Sequence, residues 1–460
     1  MTLIKSISGM RGTIGGIPGD NLTPIDIVEM TAAYGELIKR INSKPSIVIG
    51  RDGRMSGSMV LQLCANTLVA QGFTVYNADL STTPTIEMAV KKLAADGGII
   101  ITASHNPAQW NALKLLNKDG EFINASLGEE LIQIASEKRF SFNDVYQLGS
   151  IIDVDDLVQH HIEEIFKLNL VDIELIRKTK YKVIVDCINS TGTISVAPLL
   201  KALGCEVILL NEEMNGDFAH NPEPLAQHLV ELCEKVKSEK ADLGIAIDPD
   251  VDRLSFICED GSLLGEENTL VAIAKYVLSQ TPGTTVSNLS STRGLRDVTE
   301  AFGEKYYAAA VGEVNVVEKM KSVGAIIGGE GNGGIIYPEL HYGRDALVGI
   351  ALMLTYMAKE NLSLLQIKSN LPIYYISKNK IDLQPHWNVN KAIEKLINHY
   401  SNEEVNTEDG LKIDFEHGWV QLRKSNTEPI IRVYSEARDE SESIALANKI
   451  IDQFIQLVSI

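Results

Sequence analysis

The sequence has few cysteines and no long apolar run, and each of these shortages excludes a class of protein. No stretch of the 460 residues approaches the roughly 18 uninterrupted apolar residues of a membrane-spanning helix, and the first residues lack the apolar segment of a secretion signal. The five cysteines are widely spaced and form no C-x-x-C pair, so they indicate neither a disulfide framework nor a zinc site. We therefore expect a cytoplasmic protein.

Positive charge is also scarce in this chain. The chain has 42 Lys and Arg residues and 61 Asp and Glu residues, which gives a formal net charge of -19. Such a charge repels nucleic acids and anionic membrane surfaces at long range, so we expect neither as a partner. A small anionic substrate is still compatible, because clustered Arg and Lys side chains and backbone N–H groups can form a positive pocket in an acidic protein.

Short apolar runs rich in Val and Ile alternate with longer amphipathic stretches along most of the chain. The apolar runs are typical of strands buried on both faces, and the amphipathic stretches are typical of helices. This alternation predicts an α/β fold with largely parallel sheets. The predicted strands include residues 46–50, 98–102, 181–186, 206–210 and 243–247, and the predicted helices include residues 25–41, 59–71, 85–95, 194–203 and 225–237.

The chain is long enough for three or four domains at about 150 residues per domain. The strand and helix pattern restarts after a polar helical stretch at residues 156–168 and again near Gly261. From Ile381 onward it changes to a helix, two strands and a terminal helix, which is typical of a small α+β domain. We predict four domains, at residues 1–150, 151–258, 259–370 and 371–460.

The first motif whose side chains could take part in a reaction is T-A-S-H-N-P at residues 102–107. A strand candidate at residues 97–102 brings Ser104 to the turn at its carboxyl end, which is where α/β sheets place ligands. By itself the motif is also typical of a polar turn closed by proline. A catalytic triad fits poorly, because adjacent Ser and His side chains rarely hydrogen-bond and the G-x-S-x-G elbow is missing.

The second motif is D-P-D-V-D-R at residues 248–253, directly after an apolar strand candidate. In a near-extended loop its alternating carboxylates, Asp248, Asp250 and Asp252, can point the same way. Their mutual repulsion favours a hard cation, and Mg²⁺ is the candidate because it needs few protein ligands. An EF-hand needs glycine where Arg253 stands, and the haloacid-dehalogenase motif needs Thr or Val where Asp252 stands. A solvated acidic turn is the remaining alternative.

Two further loops carry polar groups. G-G-E-G-N-G-G at residues 328–334 suits close backbone approach to a ligand, and Glu330 and Asn332 can hydrogen-bond sugar hydroxyls. R-K-S-N-T-E-P at residues 423–429 links the two C-terminal strands and precedes Arg432. Its Arg, hydroxyl and N–H groups form an anion cradle that suits phosphate. Either loop alone is also typical of an ordinary turn.

Together and in this order, the four motifs resemble those of the α-D-phosphohexomutase superfamily, which includes phosphoglucomutase, phosphomannomutase and phosphoglucosamine mutase. The resemblance covers the whole chain. It matches the four motifs, in turn, to the family's phosphoserine loop, metal loop, sugar loop and phosphate loop. It implies four domains around a central cleft, of which three are similar α/β domains with mixed or parallel sheets and the last is a smaller α+β domain.

The resemblance also implies an isomerase that interconverts hexose 6-phosphate and hexose 1-phosphate through phosphorylated Ser104 and a bisphosphorylated sugar. It implies a bound Mg²⁺, a sugar bisphosphate as activator, a phosphorylated hexose or hexosamine as substrate, and a monomer or homodimer. Motif matching gives the catalytic residues as Ser104, His105, Lys114 and Arg11, the metal ligands as Ser104, Asp248, Asp250 and Asp252, and the substrate-binding residues as Arg253, Glu330, Asn332, Arg423, Ser425, Asn426, Thr427 and Arg432.

One departure from the family pattern bears on the substrate. Many relatives read G-E-x-S-G-H in the sugar loop, whereas this chain has Asn332 for the Ser and Gly334 for the His. A proton-transfer role of that His would pass here to Lys114, His105 or His341. The variant loop resembles sequences that are often named phosphoglucosamine mutases, with glucose or mannose phosphate as the alternative substrates. A metal-dependent phosphatase and a catalytically silent sugar-phosphate binder are the alternatives of another class.

Overall fold

The computed structural model describes residues 2–6, 9–40, 42, 44–425 and 429–458. The chain folds into two compact units, the first formed by Met1–Thr269 and Gly333–Ser369, the second by Leu270–Asn332 and Asn370–Ile460. One of the passages between the units, from Asn332 to Gly333, therefore lies within the predicted sugar loop. Within the described part of the chain, every helix falls short of the length and apolar content that crossing a bilayer requires.

The first unit begins with a seven-stranded mixed sheet and its helices. These elements are β1 (Ile4–Ser6), β2 (Gly9–Thr13), α1 (Pro24–Lys39), β3 (Ser46–Arg51), α2 (Gly57–Ala70), β4 (Thr74–Leu80), α3 (Thr83–Lys92), β5 (Gly97–Ile101), β6 (Trp110–Leu116), α4 (Ala125–Ser136) and β7 (Ser150–Asp153). The strand order is β1-β2-β6-β5-β3-β4-β7. Strands β5, β3, β4 and β7 are parallel, and β6, β2 and β1 continue the sheet in antiparallel pairs.

Alternate residues of the central strands enter different apolar cores. Ile47 and Ile49 of β3 pack in one core with residues of α1 and α2, whereas Val48 packs in another with Ile86 and Val90 of α3. Because helices cover both faces of the sheet, these strands have no polar face and appear in the sequence as continuous apolar runs. The strand β5 is buried along its whole length and ends just before the predicted phosphoserine loop.

The second sheet of the first unit carries the predicted metal loop. Its elements are α5 (Leu157–Ile165), α6 (Ile173–Thr179), β8 (Lys182–Asp186), α7 (Gly192–Ala202), β9 (Glu206–Leu210), α8 (Val230–Glu239), β10 (Leu243–Ile247) and β11 (Leu254–Cys258). The order is β11-β10-β8-β9, with β10, β8 and β9 parallel and β11 antiparallel to β10. The loop from β10 to β11 holds the three alternating aspartates.

The chain then runs through α9 (Glu266–Gln280) into the second unit. There it forms a parallel sheet of order β13-β12-β14, from β12 (Thr285–Asn288), α10 (Gly294–Ala301), β13 (Tyr306–Ala309), α11 (Glu313–Val323) and β14 (Ile327–Glu330). It returns to the first unit for β15 (Gly334–Ile336), α12 (Ala346–Glu360) and α13 (Leu364–Ser369).

The last part of the chain belongs to the second unit and has an α+β organisation. Its elements are β16 (Tyr375–Asp382), α14 (Val389–His399), β17 (Glu404–Asn406), β18 (Leu411–Phe415), β19 (Gly418–Lys424), β20 (Ile430–Ala437) and α15 (Glu440–Val458). The sheet is antiparallel throughout, in the order β16-β20-β19-β18-β17. The predicted α/β fold with mixed or parallel sheets and a smaller α+β end is thus confirmed.

Candidate active site

Ser104 lies in a strained turn at the carboxyl end of β5. Its φ is 48°, a left-handed backbone conformation that is uncommon for a residue other than glycine. Its N–H donates to Thr102 Oγ1 at 2.9 Å, and its hydroxyl donates to Asp248 Oδ2 at 2.5 Å. His105 Nδ1 lies 3.4 Å from the same hydroxyl oxygen. The first two sequence motifs therefore meet at Ser104 Oγ.

A buried arginine from an earlier loop holds this turn in place. Arg54 is 1% exposed, and Asp52 Oδ2 lies 3.1 Å from its Nε. The guanidinium presents several N–H donors in a fixed planar fork, so it can fix several acceptors at once. It donates to four main-chain oxygens at 2.5 to 2.9 Å, those of Ser104, Asn106, Pro107 and Trp110.

Asp248, Asp250 and Asp252 converge in a fully buried cluster after β10. Their candidate ligand atoms lie within 4.8 Å of one another. Asp248 Oδ1 accepts the N–H groups of Asp252 and Arg253 at 3.2 and 3.1 Å, which closes the loop on itself. Among the residues that the structure describes, Asp250 Oδ1 and Asp252 Oδ1 have no hydrogen-bond partner. Buried orphaned carboxylate oxygens call for a cation, and an all-oxygen donor set fits Mg²⁺.

Two positive side chains partly compensate this cluster. Lys114 Nζ lies 2.6 Å from Asp250 Oδ2 and 3.1 Å from Asp252 Oδ2, and Arg344 Nη2 lies 2.6 Å from Asp252 Oδ2. Burial by itself would raise the pKa of Asp252, but the charges of Arg344 and then Lys114 outweigh it and lower that pKa. Burial, followed by the charges of Asp250 and Asp252, raises the pKa of Asp248. The three carboxylates are therefore electrostatically unequal.

Further positive groups gather beside Ser104. The pKa of Arg11 is lowered, mainly by burial and to a smaller extent by the charges of Arg253 and Arg344. Burial and then the charge of Arg253 lower the pKa of His105 well below its usual value. These mutual effects mean that Arg11, Arg253 and Arg344 lie close enough to repel one another. A phosphate group would relieve that repulsion, because its oxygens accept hydrogen bonds from several guanidinium groups.

The sugar-loop residues of the second unit contact each other. Glu330 is 4% exposed, and its Oε1 accepts from Asn288 Nδ2 at 2.7 Å and from the N–H of Gly312 at 3.0 Å. Asn332 Nδ2 lies 3.4 Å from Glu330 Oε2. Ser291 Oγ accepts the N–H of Gly331 at 2.8 Å, which fixes the glycine turn. Glu330 and Asn332 thus form one polar group.

The phosphate-loop residues lie where β19 turns into β20. Arg423 and Arg432 are directly opposite each other in this antiparallel pair, an arrangement that is destabilising for like charges. Asp409 Oδ2 lies 3.7 Å from Arg423 Nε and also accepts the N–H of Val311 at 3.0 Å. Ser425 N–H donates to the carbonyl of Ile430 at 3.0 Å. Asn426 and Thr427, also predicted to bind phosphate, lie outside the described residues.

Some residues of the site were not predicted, and one candidate lies elsewhere. The unpredicted ones are Arg54, Thr83, Asn288, Arg344 and Asp409. Thr83, whose hydroxyl donates to Asp250 Oδ2 at 2.5 Å, has no motif around it. Arg54 belongs to G-R-D-G-R at residues 50–54, which marks arginines beside glycines but gives no sign of their distant acceptors. His341, a candidate for proton transfer, lies with His161 and Asp345.

Comparison with protein families gives a match to each quarter of the chain. The description "Phosphoglucomutase/phosphomannomutase, alpha/beta/alpha domain" applies to residues 4–142 as domain I, 159–261 as domain II and 266–375 as domain III. The description of the C-terminal domain of the same family applies to residues 382–453. The four matches follow one another in order along the chain.

Full-length relatives carry related names. The chain is 35% identical to the phosphoglucosamine/phosphogalactosamine mutase of Sulfurisphaera tokodaii, over 97% of this chain and 98% of that one. It is 34% identical to the phosphoglucomutase/phosphomannomutase of Thermococcus kodakarensis, over 97% and 99%. Among solved structures, a phosphoglucomutase/phosphomannomutase family protein of Burkholderia thailandensis superposes with a TM-score of 0.85 at 26% identity, over 99% and 97%.

Proposed function

The chain belongs to the phosphoglucomutase/phosphomannomutase family of α-D-phosphohexomutases, and from this premise we propose that it interconverts glucosamine 6-phosphate and glucosamine 1-phosphate. It is an enzyme of the isomerase class, a phosphohexomutase. The observation that carries the proposed mechanism is the hydrogen bond from Ser104 Oγ to Asp248 Oδ2, beside a carboxylate cluster and several cations. The Sulfurisphaera relative and Asn332 in the sugar loop support glucosamine phosphate. Glucose and mannose phosphates are the competing substrates.

In the proposed reaction, phosphorylated Ser104 transfers its phosphoryl group to the free hydroxyl of a sugar monophosphate. The bond from phosphorus to the sugar oxygen forms, the bond to Ser104 Oγ breaks, and the proton of the sugar hydroxyl passes to a base that returns it to Ser104 Oγ. The sugar bisphosphate then binds in the opposite orientation and returns its other phosphoryl group to Ser104 Oγ. Added sugar bisphosphate would act as an activator because it phosphorylates Ser104 by this second step.

His105 is the better candidate for the base. Burial and neighbouring cations lower its pKa, so its imidazole is neutral before substrate binds, and the negative charge of the bound phosphates would raise that pKa towards the range of a general base. The Lys114 pKa is raised, because the charges of Asp250 and Asp252 outweigh the opposite effect of burial. Lys114 therefore remains an ammonium ion, which suits it to stabilise negative charge on the phosphoryl oxygens.

The remaining residues hold the substrate and the metal. Asp248, Asp250 and Asp252, with an oxygen on Ser104, would hold Mg²⁺, which when bound supplies positive charge to the transferring phosphoryl oxygens. Arg11 and Arg253 would hold the reacting phosphate, and Glu330 with Asn332 the sugar hydroxyls. The other phosphate would bind in the cradle formed by Arg423, Ser425, Asn426, Thr427 and Arg432.

We also propose that the protein has four domains around a central cleft, is a monomer or homodimer, and lies in the cytoplasm. The proposed domains are residues 1–150, 151–258, 259–370 and 371–460. Thiols fit a reducing compartment, and all five cysteines are unpaired in the structure.

A coupled mutase assay with Mg²⁺ and a trace of sugar bisphosphate tests this function. Wild type, Ser104→Ala and the control Ser136→Ala, which removes an exposed hydroxyl on α4, are compared on glucosamine, glucose and mannose phosphates. We expect Ser104→Ala to lose activity by at least about 10⁴-fold, as for removal of an essential nucleophile, and Ser136→Ala to keep it.

Each outcome of this assay has a distinct meaning. The substrate with the highest kcat/KM identifies the sugar. Equal activity of wild type and Ser104→Ala would contradict the phosphoserine mechanism. Release of inorganic phosphate without isomerisation would favour a phosphatase, and binding of the substrates without turnover would favour a silent binder.

A further inference from the structure

A second group of metal-ligand side chains is buried in the first unit and has no role in the proposed reaction. It consists of His161 on α5, His341, and Asp345 at the start of α12, with exposures of 0%, 6% and 0%. Nε2 of His161 and Nε2 of His341 lie 2.8 and 3.2 Å from one atom, Asp345 Oδ2. The three candidate ligand atoms lie within 4.8 Å of one another. Both imidazoles and the carboxylate thus converge on one point.

The surroundings of His341 favour a cation at that point. Its Nε2 faces Asp345 Oδ2, and its Nδ1 faces Glu87 Oε2 at 3.4 Å. A neutral imidazole has one N–H group, so one nitrogen would direct its lone pair at a carboxylate. A metal ion at Nε2 resolves this conflict, because Nδ1–H then donates to Glu87.

The outer atoms of all three residues are held as they are around bound metals. Metal-binding imidazoles commonly donate their second N–H to a carboxylate or another oxygen. Here Glu87 Oε2 faces His341 Nδ1, and Thr85 Oγ1 lies 3.0 Å from His161 Nδ1. Asp345 Oδ1 accepts the N–H of Leu347 at 2.8 Å, which leaves Oδ2 to the histidines. Each residue is thus oriented by a contact outside the group.

We propose that His161 Nε2, His341 Nε2 and Asp345 Oδ2 bind a structural Zn²⁺. Bond lengths of about 2.1 Å at tetrahedral angles separate ligand atoms by about 3.4 Å, so the observed distances of 2.8 and 3.2 Å would have to open by about 0.6 and about 0.2 Å. Two imidazoles and one carboxylate are a donor set typical of Zn²⁺, whereas Mg²⁺ prefers oxygen alone. A water molecule would complete the fourth position.

The ion would brace the elements that support the aspartate cluster. Arg344, which contacts Asp252 Oδ2, directly precedes Asp345 in the chain. On α3, Thr83 contacts Asp250 Oδ2 and Thr85 contacts His161. Zinc would therefore join α3, α5 and the start of α12 behind two of the three aspartates. This proposal rests on the geometry of the first unit and does not depend on which sugar the enzyme converts.

Metal content of the full chain tests the proposal. The protein is produced without a polyhistidine tag in zinc-containing medium and dialysed against excess Mg²⁺, which competes for sites made of oxygen alone. Zinc per chain is then measured by inductively coupled plasma mass spectrometry. We expect about equimolar zinc in wild type and in His220→Gln, and a loss of most of it in His161→Gln. His220 is the matched control because it pairs with a carboxylate, Asp186, at 2.8 Å outside the proposed site.

A second measurement needs no variant, in case His161→Gln fails to fold. X-ray absorption at the zinc edge of wild type is expected to show scattering from imidazole rings. A shell of oxygen atoms alone would place the zinc on Asp248, Asp250 and Asp252 and overturn the proposal. Wild type without zinc, or a folded His161→Gln that retains all its zinc, would overturn it as well.

Discussion

The first unit and the second unit present charged groups in different ways. Around Ser104, the aspartates and Arg54 are buried, and Lys114, Arg344 and Asp52 offset much of their charge from within the protein. Around the phosphate loop, Arg423 and Arg432 are only partly buried and face each other across a strand pair. The carboxylates around Ser104 thus have positive partners before substrate binds, whereas two of the predicted recognition groups face each other as like charges.

This difference fits what each part has to do in the proposed reaction. Phosphoryl transfer gains from dipoles and charges that need no rearrangement when the transition state forms. The cradle instead has to accept either phosphate of a sugar that binds in two orientations. Two like charges that face each other, rather than one fixed set of hydrogen bonds, suit that requirement because their electrostatic attraction for phosphate depends less on direction.

Replacing Arg54 with Met should produce the largest loss of stability. The change leaves Asp52 buried without its cation and the four loop carbonyls without their donor, and breaking a buried ion pair in this way costs about 3–5 kcal/mol. Urea unfolding of the variant measures this loss. The surface pair of Arg40 with Glu130 gives the control, since Arg40→Met should cost no more than about 1 kcal/mol. Similar losses in both variants would mean that the turn at Ser104 is not built around Arg54.

Replacing Lys114 with Met should separate charge balance from metal binding. Without the ammonium group near Asp250 and Asp252, we expect kcat to fall by about 10²- to 10³-fold, as for loss of one preorganised electrostatic donor. The affinity for Mg²⁺ should rise, because a competing cation has left the carboxylates. Titration of activity with Mg²⁺ and calorimetry measure the two effects. A weaker Mg²⁺ affinity with unchanged kcat at saturation would contradict this role of Lys114.

Replacing Glu330 with Gln should have a smaller effect, on sugar recognition. A hydrogen bond to a charged group contributes about 1.5–3 kcal/mol, so we expect kcat/KM to fall by about 10- to 100-fold. Steady-state kinetics with each sugar phosphate measure the change, and Glu403→Gln, at an exposed position of the same unit, is the control. If glucosamine phosphate is the substrate, kcat/KM should fall further for it than for glucose phosphate, because the amino group of glucosamine is cationic. Equal losses for both sugars would place Glu330 away from that group.

The sequence predicts those parts of the fold and the site that depend on neighbouring residues. The strands β9 and β10 begin and end at the predicted residues, because in β9 four apolar residues follow Glu206 and stop before Asn211, and β10 lies between Asp242 and Asp248. The strand β6 is not predicted, since Asn111 and Lys114 interrupt its apolar pattern. Its antiparallel pairing places Lys114 opposite Ile100 of β5, a position that no local pattern indicates.

Contacts between residues that are far apart in the chain could not be predicted from the sequence. Arg54 reaches a carbonyl 50 residues later, and Arg344 reaches an aspartate 92 residues earlier. Neither lies in a motif that matches the family's functional loops. These contacts depend on which strands are neighbours and on where loops turn back, and those are properties of the assembled sheets. Motif spacing therefore indicates the reacting groups, whereas the residues that position them emerge only from the fold.

Replacing Arg423 with Ala should have the smallest effect, and it tests whether the facing arginines of the phosphate loop repel each other. In phosphate-free buffer, Arg423→Ala removes one of two like charges that face each other and gives up only a long contact of 3.7 Å with Asp409, which contributes little, so we expect the protein to gain about 0.2–1 kcal/mol in free energy of unfolding. With saturating phosphate, wild type should gain more stability than the variant, because ligand binding to the native state adds to its stability. Urea unfolding with and without phosphate measures the two changes in free energy of unfolding. Arg438→Ala, at an exposed position after β20, is the control. A loss of stability in phosphate-free buffer would mean that Asp409 already compensates the pair, as Lys114 and Arg344 partly compensate Asp250 and Asp252.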